Sequence, residues 1–435
     1  MAKAKKEKAP QDAFSEIDKI ISSEFDDMID MSKQDTSVNT WYDSGVYAFN
    51  YICSKNLFGA YPKGRIVGLD GLSGTGKSLL AATLMRDKKI DYIVIIESEG
   101  GGHSAELLKF AGVDPKKVRV LKANTLNSYK IKKKDGTLEE IADKEIPKNK
   151  DTDTYRYVEG AGSLIRRFAH SIEFNKIEKN IVIIMDSLGN MQSVRGLSGS
   201  YDMGKRGQDL TNFFKNFDNE FEKAGLTFVF TNKLYQSMAL NGPSHVQTGG
   251  ESPIYNSSLY VRLSTTVDTD DVSDKDMKDE KAQRSTALGS SIKTIKAKVI
   301  KSRFGTEMRN IPFLLDFSVG PVRLSGLFRL LKDFGVVVNT GGAWYSMPGI
   351  IDDKFYKKDF VSLILKDEKN ILEKIQKRLE EREEEIKNAR VNLQANDLEE
   401  VNEETGEREE TTEEDELFAF NADDMKSEMI KDVEE

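Results

Sequence analysis

Cysteine is almost missing from this chain: Cys53 stands alone among 435 residues, so no internal disulfide can form. That scarcity is expected of a protein in a reducing compartment, here a cytoplasm. Histidine is nearly as rare, and His103, His170 and His245 are too scattered to spell a zinc or di-metal motif. No apolar run approaches the ~20 residues that a membrane span needs. The opening Met1-Ala2-Lys3-Ala4-Lys5-Lys6-Glu7-Lys8 has no apolar stretch behind it to act as a signal peptide. Membrane proteins and disulfide-stapled secreted scaffolds are thereby excluded as expectations.

Charge is plentiful but uneven. The net −9 comes from 73 acidic against 64 basic side chains. Residues 397–416 alone carry about a dozen carboxylates around the single Arg408, a block expected to be disordered and self-repelling. The remaining chain is near neutral to slightly basic, so the overall acidity does not exclude a nucleic-acid partner.

One segment carries specific chemistry. Gly71-Leu72-Ser73-Gly74-Thr75-Gly76-Lys77-Ser78, followed by Leu79, satisfies G-x-x-x-x-G-K-[ST] in full. An apolar run at 64–70 precedes it and a helical pattern over 79–87 follows, which is the strand, loop and helix order of a phosphate-binding loop. Glycines let backbone N–H groups turn inward, and the helix N-terminus favours an anion. Lys77 is suited to the β/γ-phosphates and Ser78 to Mg²⁺.

Short β-rich runs are expected at 65–69, 92–96, 118–121, 180–185, 227–231, 258–264, 295–301 and 311–317. Helical patterns between them predict an α/β fold built on a mostly parallel sheet covered on both faces, with the last strands antiparallel. Insertions at 130–153 and 267–291 interrupt this core; the first contains Lys132-Lys133-Lys134-Asp135-Gly136, a hairpin-turn signal. Ile181-Val182-Ile183-Ile184-Met185 ends in Asp186, a Walker-B arrangement that brings a carboxylate beside Ser78 and the metal. Tyr92-Ile93-Val94-Ile95-Ile96 ends in Glu97-Ser98-Glu99, and Glu99, one step into the loop, is the expected general base for water.

With these residues stand Thr231-Asn232-Lys233 after a strand, Thr248-Gly249-Gly250 before Asn256-Ser257-Ser258-Leu259-Tyr260-Val261-Arg262-Leu263, and Lys296-Ala297-Lys298-Val299-Ile300-Lys301-Ser302-Arg303. In order and spacing they resemble the RecA-family recombinases, and most nearly the UvsX-type proteins of large phages, over about 42–349. The resemblance implies a RecA-like ATPase that uses ATP and Mg²⁺ and forms helical filaments on single-stranded DNA. Those filaments pair the strand with homologous double-stranded DNA, helped by single-strand-binding and mediator proteins in a bacterial host cytoplasm. It further implies that Lys301 and Arg303 reach a neighbour's γ-phosphate and that Phe317 lies near a neighbour's adenine. Segments 193–205 and 233–250 match the DNA-binding loops and offer Arg195, Lys205 and nearby Arg206, then Lys233, Tyr235 and Gln236. Lys233 departs from the family, whose members often carry Gln or His there to sense the γ-phosphate.

Four regions are expected: an amphipathic N-terminal oligomerisation arm over 1–41, with a helix at 12–31; the ATPase core over 42–349; a helical region over 350–392, its helix running from about 359 to 391; and an acidic tail over 393–435. Two other functions fit the same motifs, a hexameric DNA helicase on the same core and a nucleotide-gated scaffold with little ATP turnover.

Overall fold

The computed structural model describes residues 38–99, 113–122, 128–132, 138–142, 158–191, 193, 203–215, 218–236, 245–266, 292–318 and 320–402. The expected N-terminal arm through residue 37, the 267–291 insertion and the tail beyond 402 lie outside them. Two compact units divide the chain, Met1–Gln376 and Lys377–Glu435.

In the first unit a two-stranded pair, β1 (Trp41–Tyr42) and β2 (Tyr61–Pro62), brackets helix α1 (Tyr47–Ser54). Then come β3 (Ile66–Gly71), α2 (Lys77–Leu84), β4 (Tyr92–Glu97) and β5 (Val118–Lys122). The hairpin expected near 130–153 is present as β6 (Ser128–Lys132) paired with β7 (Leu138–Ala142), joined across 133–137. Next follow α3 (Val158–Phe174), β8 (Ile181–Asp186), α4 (Met203–Lys215), α5 (Asp218–Ala224), β9 (Thr227–Gln236), β10 (His245–Gln247) and α6 (Ser252–Asn256). β11 (Leu259–Thr265), β12 (Ile292–Ser302), β13 (Asn310–Asp316), β14 (Gly320–Pro321) and α7 (Leu327–Asp333) complete the sheet region.

Six strands run parallel in the order β11-β3-β9-β8-β4-β5, and β12, β13 and β14 extend the β11 edge antiparallel, as the pattern predicted. β3 and β8 are buried along their whole length, which is why their sequences are nearly unbroken apolar runs. One core joins α3, α4 and α5 to β8 and β9 through Ile165, Phe213, Phe214, Phe221, Phe228 and Phe230. Phe221 and Phe228 stack with centroids 5.8 Å apart. α1 and α2 pack against β3, β9 and the antiparallel strands with other residues. Gly68 in mid-β3 has a packing reason, because a Cβ there would stand 2.3 Å from Tyr260 Cδ2 and 2.8 Å from Phe230 Cζ. Its missing side chain lets two large rings meet over the strand.

Two sequence expectations are altered downstream. The boundary expected at 349/350 falls inside a three-stranded antiparallel sheet of β15 (Val338–Gly341), β16 (Trp344–Met347) and β17 (Ile351–Tyr356). The single helix expected over 359–391 is two, α8 (Phe360–Lys366) and α9 (Glu368–Asn402). Asp367 breaks them with φ −150° and ψ 64°, while its carbonyl accepts from Ile371 N at 3.0 Å and its carboxylate from Asn370 Nδ2 at 2.9 Å, so it opens α9. In the second unit Arg378 pairs with Glu381 at 3.0 Å and with Glu385 at 3.2 Å, exposed contacts along one helix face.

Candidate phosphate-binding and hydrolytic site

The loop between β3 and α2 is shaped by its glycines. Gly74 and Gly76 have φ of 75° and 81°, the left-handed region that other residues rarely adopt. A Cβ on Gly76 would also lie 2.0 Å from Leu315 Cδ2, so the loop is fitted closely beneath β13. None of the backbone amides of residues 73–79 donates a hydrogen bond among the described residues. That row of open donors at a helix N-terminus is a cradle for an anion. Lys77 is buried, and its ammonium donates to Gly71 O at 2.8 Å and Leu72 O at 2.7 Å. Burial lowers its pKa, with Glu99, Asp186 and Asp70 opposing that shift and Lys233 adding to it. A second cation stands over the same loop: Lys293 Nζ lies 3.5 Å from Gly74 O and 5.1 Å from the Phe317 ring centroid.

Asp186 ends β8 and is separated from β3 by β9. Thr231 of β9 bridges that gap, its hydroxyl donating to Asp186 Oδ1 at 2.5 Å. Asp186 pairs in register with Glu97, and the next residues interlock: Ser98 N donates to Asp186 O at 2.8 Å, and Ser187 N to Ser98 Oγ at 2.9 Å. Glu99 is held above them, accepting from Ser187 Oγ at 2.6 Å, with Lys233 Nζ 3.2 Å from the same Oε1. Glu99, Asp186, Lys77 and Lys233 thus gather at the C-terminal edge of the parallel strands, where ligands bind in open α/β sheets. Ser78 and Asp186 both carry oxygen donors, the chemistry Mg²⁺ prefers, since it takes one or two protein oxygens and completes its shell with phosphates and water. Among the described residues no three His, Cys, Asp or Glu side chains gather as a self-sufficient metal site.

The other predicted residues divide. Phe317, 39% exposed, stands beside this chain's own loop, 3.7 Å from where a Gly76 Cβ would be, rather than only facing outward to a neighbour. Lys301 and Arg303 do not join the loop. β12 runs from Lys293 at the loop edge to Lys301 at the far edge, where Lys301 pairs with Tyr260 and Tyr260 with Gly68. Two strand spacings and three residues separate Lys301 from Gly71, about 14 Å between backbones. Lys301 Nζ donates to Tyr255 O and lies 6.0 Å from the Tyr255 ring centroid; that ring is 66% exposed, and Arg303 is exposed beside it. Arg206 is spent on structure, its guanidinium donating to Gly189 O and to Met191 O at 3.0 Å. Lys205 lies in the first turn of α4, and Arg195 is outside the described residues. Tyr235 is exposed near the end of β9, which runs five residues past its expected end and pairs with β10, Gln236 opposite His245.

Sequence reasoning passed over Asp70 and Arg262. Asp70, fully buried one residue before the loop, takes Arg262 Nε at 3.0 Å and Nη2 at 2.7 Å. The signal was available, since each is a lone charge in an apolar strand and the strands pair Asp70 with Arg262. Burial raises the Asp70 pKa and Arg262 opposes it. A carboxyl with a raised folded pKa gives stability below its unfolded pKa that is lost as pH rises through the folded value. Replacing Arg262 with Met raises that pKa further, so the destabilisation should be about 3 kcal/mol near pH 7 and shrink toward about pH 4, where the carboxyl is protonated. Urea unfolding of both proteins at each pH checks this; a deficit independent of pH would assign the loss to packing instead.

Compared with known proteins, the chain matches no family model and no curated protein.

Proposed function

We propose that this protein is a DNA-dependent ATPase of the RecA type, a strand-exchange recombinase that assembles head to tail on single-stranded DNA and pairs it with homologous duplex. In this reading the open amides of 73–79 and Lys77 hold the triphosphate. Mg²⁺, when bound by Ser78 and Asp186, neutralises phosphate charge. Glu99 orients a water and takes its proton as the oxygen attacks the γ-phosphorus; the bond to the β-phosphate oxygen breaks, leaving ADP and phosphate. Thr231 and Ser187 keep the two carboxylates apart and fixed.

The observation that carries the assembly is β12. It presents Lys293 to its own loop and Lys301 with Arg303 to the opposite sheet edge, too far to serve the same loop. In a head-to-tail stack those far-edge cations meet the next copy's triphosphate, where they stabilise charge developing in the transition state. Exposed Tyr235 on the β9–β10 hairpin supplies a stacking surface for bases, a sequence-tolerant contact.

Electron micrographs of the protein with single-stranded DNA, Mg²⁺ and a slowly hydrolysed ATP analogue test the proposal. Open helical filaments support it. Closed rings around the DNA would make the protein a helicase, and no assembly on DNA together with ATP turnover indifferent to DNA would leave only a nucleotide-gated scaffold.

A further inference from the structure

Lys293, Ile295, Ala297 and Val299 alternate along one side of β12, and the last three are fully buried. Directly opposed residues of paired strands share a face, so Lys293 stands beside Leu315, its partner in β13. That face covers the phosphate loop: a Cβ on Gly76 would lie 2.0 Å from Leu315 Cδ2, and one on Gly74 would lie 3.5 Å from Lys293 Nζ. The buried row thus ends in an ammonium at the point where it reaches the loop. Only weak contacts hold it there. It donates to Gly74 O at 3.5 Å, a long hydrogen bond, and rests 5.1 Å from the Phe317 ring centroid; among the described residues no carboxylate pairs with it. The N and O of one residue lie within about 3.7 Å of each other, so Lys293 Nζ is within about 7 Å of the Gly74 amide, one of the open donors. A rotamer change in a four-carbon side chain covers that distance.

Strand order tells which part of a nucleotide this ammonium meets. β8, which ends in Asp186, and β4, which leads to Glu99, lie on one side of β3 beyond β9; β12 lies on the other side, beyond β11. The carboxylates mark the flank where the terminal phosphate is cleaved, and Lys293 therefore faces the opposite end of the phosphate chain, the end joined to the nucleoside. We propose that Lys293 is a phosphate ligand acting within its own chain: when a nucleotide enters, its ammonium leaves Gly74 O and the Phe317 ring and binds the α-phosphate. The inference rests on the function proposed above and adds a contact that ADP and ATP share and that needs no neighbouring copy. The α-phosphate keeps its charge through hydrolysis, so the contact is equal in the ground and transition states and serves binding rather than the chemical step. Lys301 and Arg303 differ in both respects, since that reading gives them the γ-phosphate of the next copy.

Calorimetry with Mg²⁺ and no DNA measures the binding of ADP and of a slowly hydrolysed ATP analogue to the full-length protein and to Lys293→Met, Lys293→Arg and Lys296→Met. Lys296 is on the same strand with the opposite parity, so its variant removes the same charge without reaching the loop. Lys293→Met should weaken both ligands by about 10-fold and by the same factor, as loss of a charge-assisted contact does. The gap from the parent should narrow as salt rises. Lys293→Arg and Lys296→Met should stay within about threefold of the parent. In DNA-stimulated hydrolysis the loss in Lys293→Met should appear in KM rather than in kcat. Unchanged affinity in Lys293→Met overturns the inference. So does a loss confined to the ATP analogue or to kcat, which would put the ammonium on the γ-phosphate, and so does an equal loss in Lys296→Met, which would make the effect one of overall charge. A parent that binds neither nucleotide defeats the proposed function together with this inference; a parent that binds both alongside an indifferent Lys293→Met defeats the inference alone.

Discussion

Glu99→Gln protein should hydrolyse ATP at least about 100-fold more slowly than the parent while binding nucleotide and single-stranded DNA with unchanged affinity. Glutamine keeps the shape and still accepts from Ser187 Oγ, which lies 2.6 Å from Glu99 Oε1. What it loses is the ability to take a proton. In the proposed mechanism binding rests on other groups, the open amides of 73–79 and the Lys77 ammonium, whose hydrogen bonds do not involve Glu99. A loss of binding equal to the loss of turnover would mean that Glu99 holds the nucleotide or the loop. Near-parental turnover would remove it from the chemistry and leave Asp186 as the candidate base.

The second large effect concerns assembly. Glu99→Gln protein and Lys301→Ala/Arg303→Ala protein should each be nearly inactive, because the first spoils the loop side of every junction and the second spoils the far side. A random equal mixture should contain about a quarter of junctions with both sides intact, and DNA-stimulated hydrolysis should return accordingly. Lys301 and Arg303 lie at the sheet edge opposite Gly71, so no single chain can complete its own site with them. If both variants co-assemble on DNA and the mixture stays as inactive as its parts, the two cations serve no neighbour.

Much of the sheet was legible in the sequence, because its strands are buried on both faces and read as apolar runs: β3, β4, β5 and β8 lie within two residues of their expected ends. β9 and β12 ran longer than expected because most of their extra residues are polar. Lys233, Tyr235 and Lys293 sit where strands leave the core, and hydrophobic pattern is silent there. The same blindness hid Lys293 as a cation over the loop. Asp70 and Arg262 differ: each is a lone charge in an apolar strand, and strand pairing shows that they answer one another. Phe317 stands beside this chain's own loop, a placement that no local pattern shows for an aromatic at a strand end.

β12 has a consequence for counting. In the proposed head-to-tail stack, a strand with Lys293 over its own loop and Lys301 at the far edge would make each chain half of two reaction chambers. A row of n copies then holds n − 1 complete chambers, with one lone half at each end. Turnover per copy should climb with the length of the DNA and level off, and an oligonucleotide that seats only two copies should work at about half the plateau rate. The length of the track, as much as its presence, would set the pace.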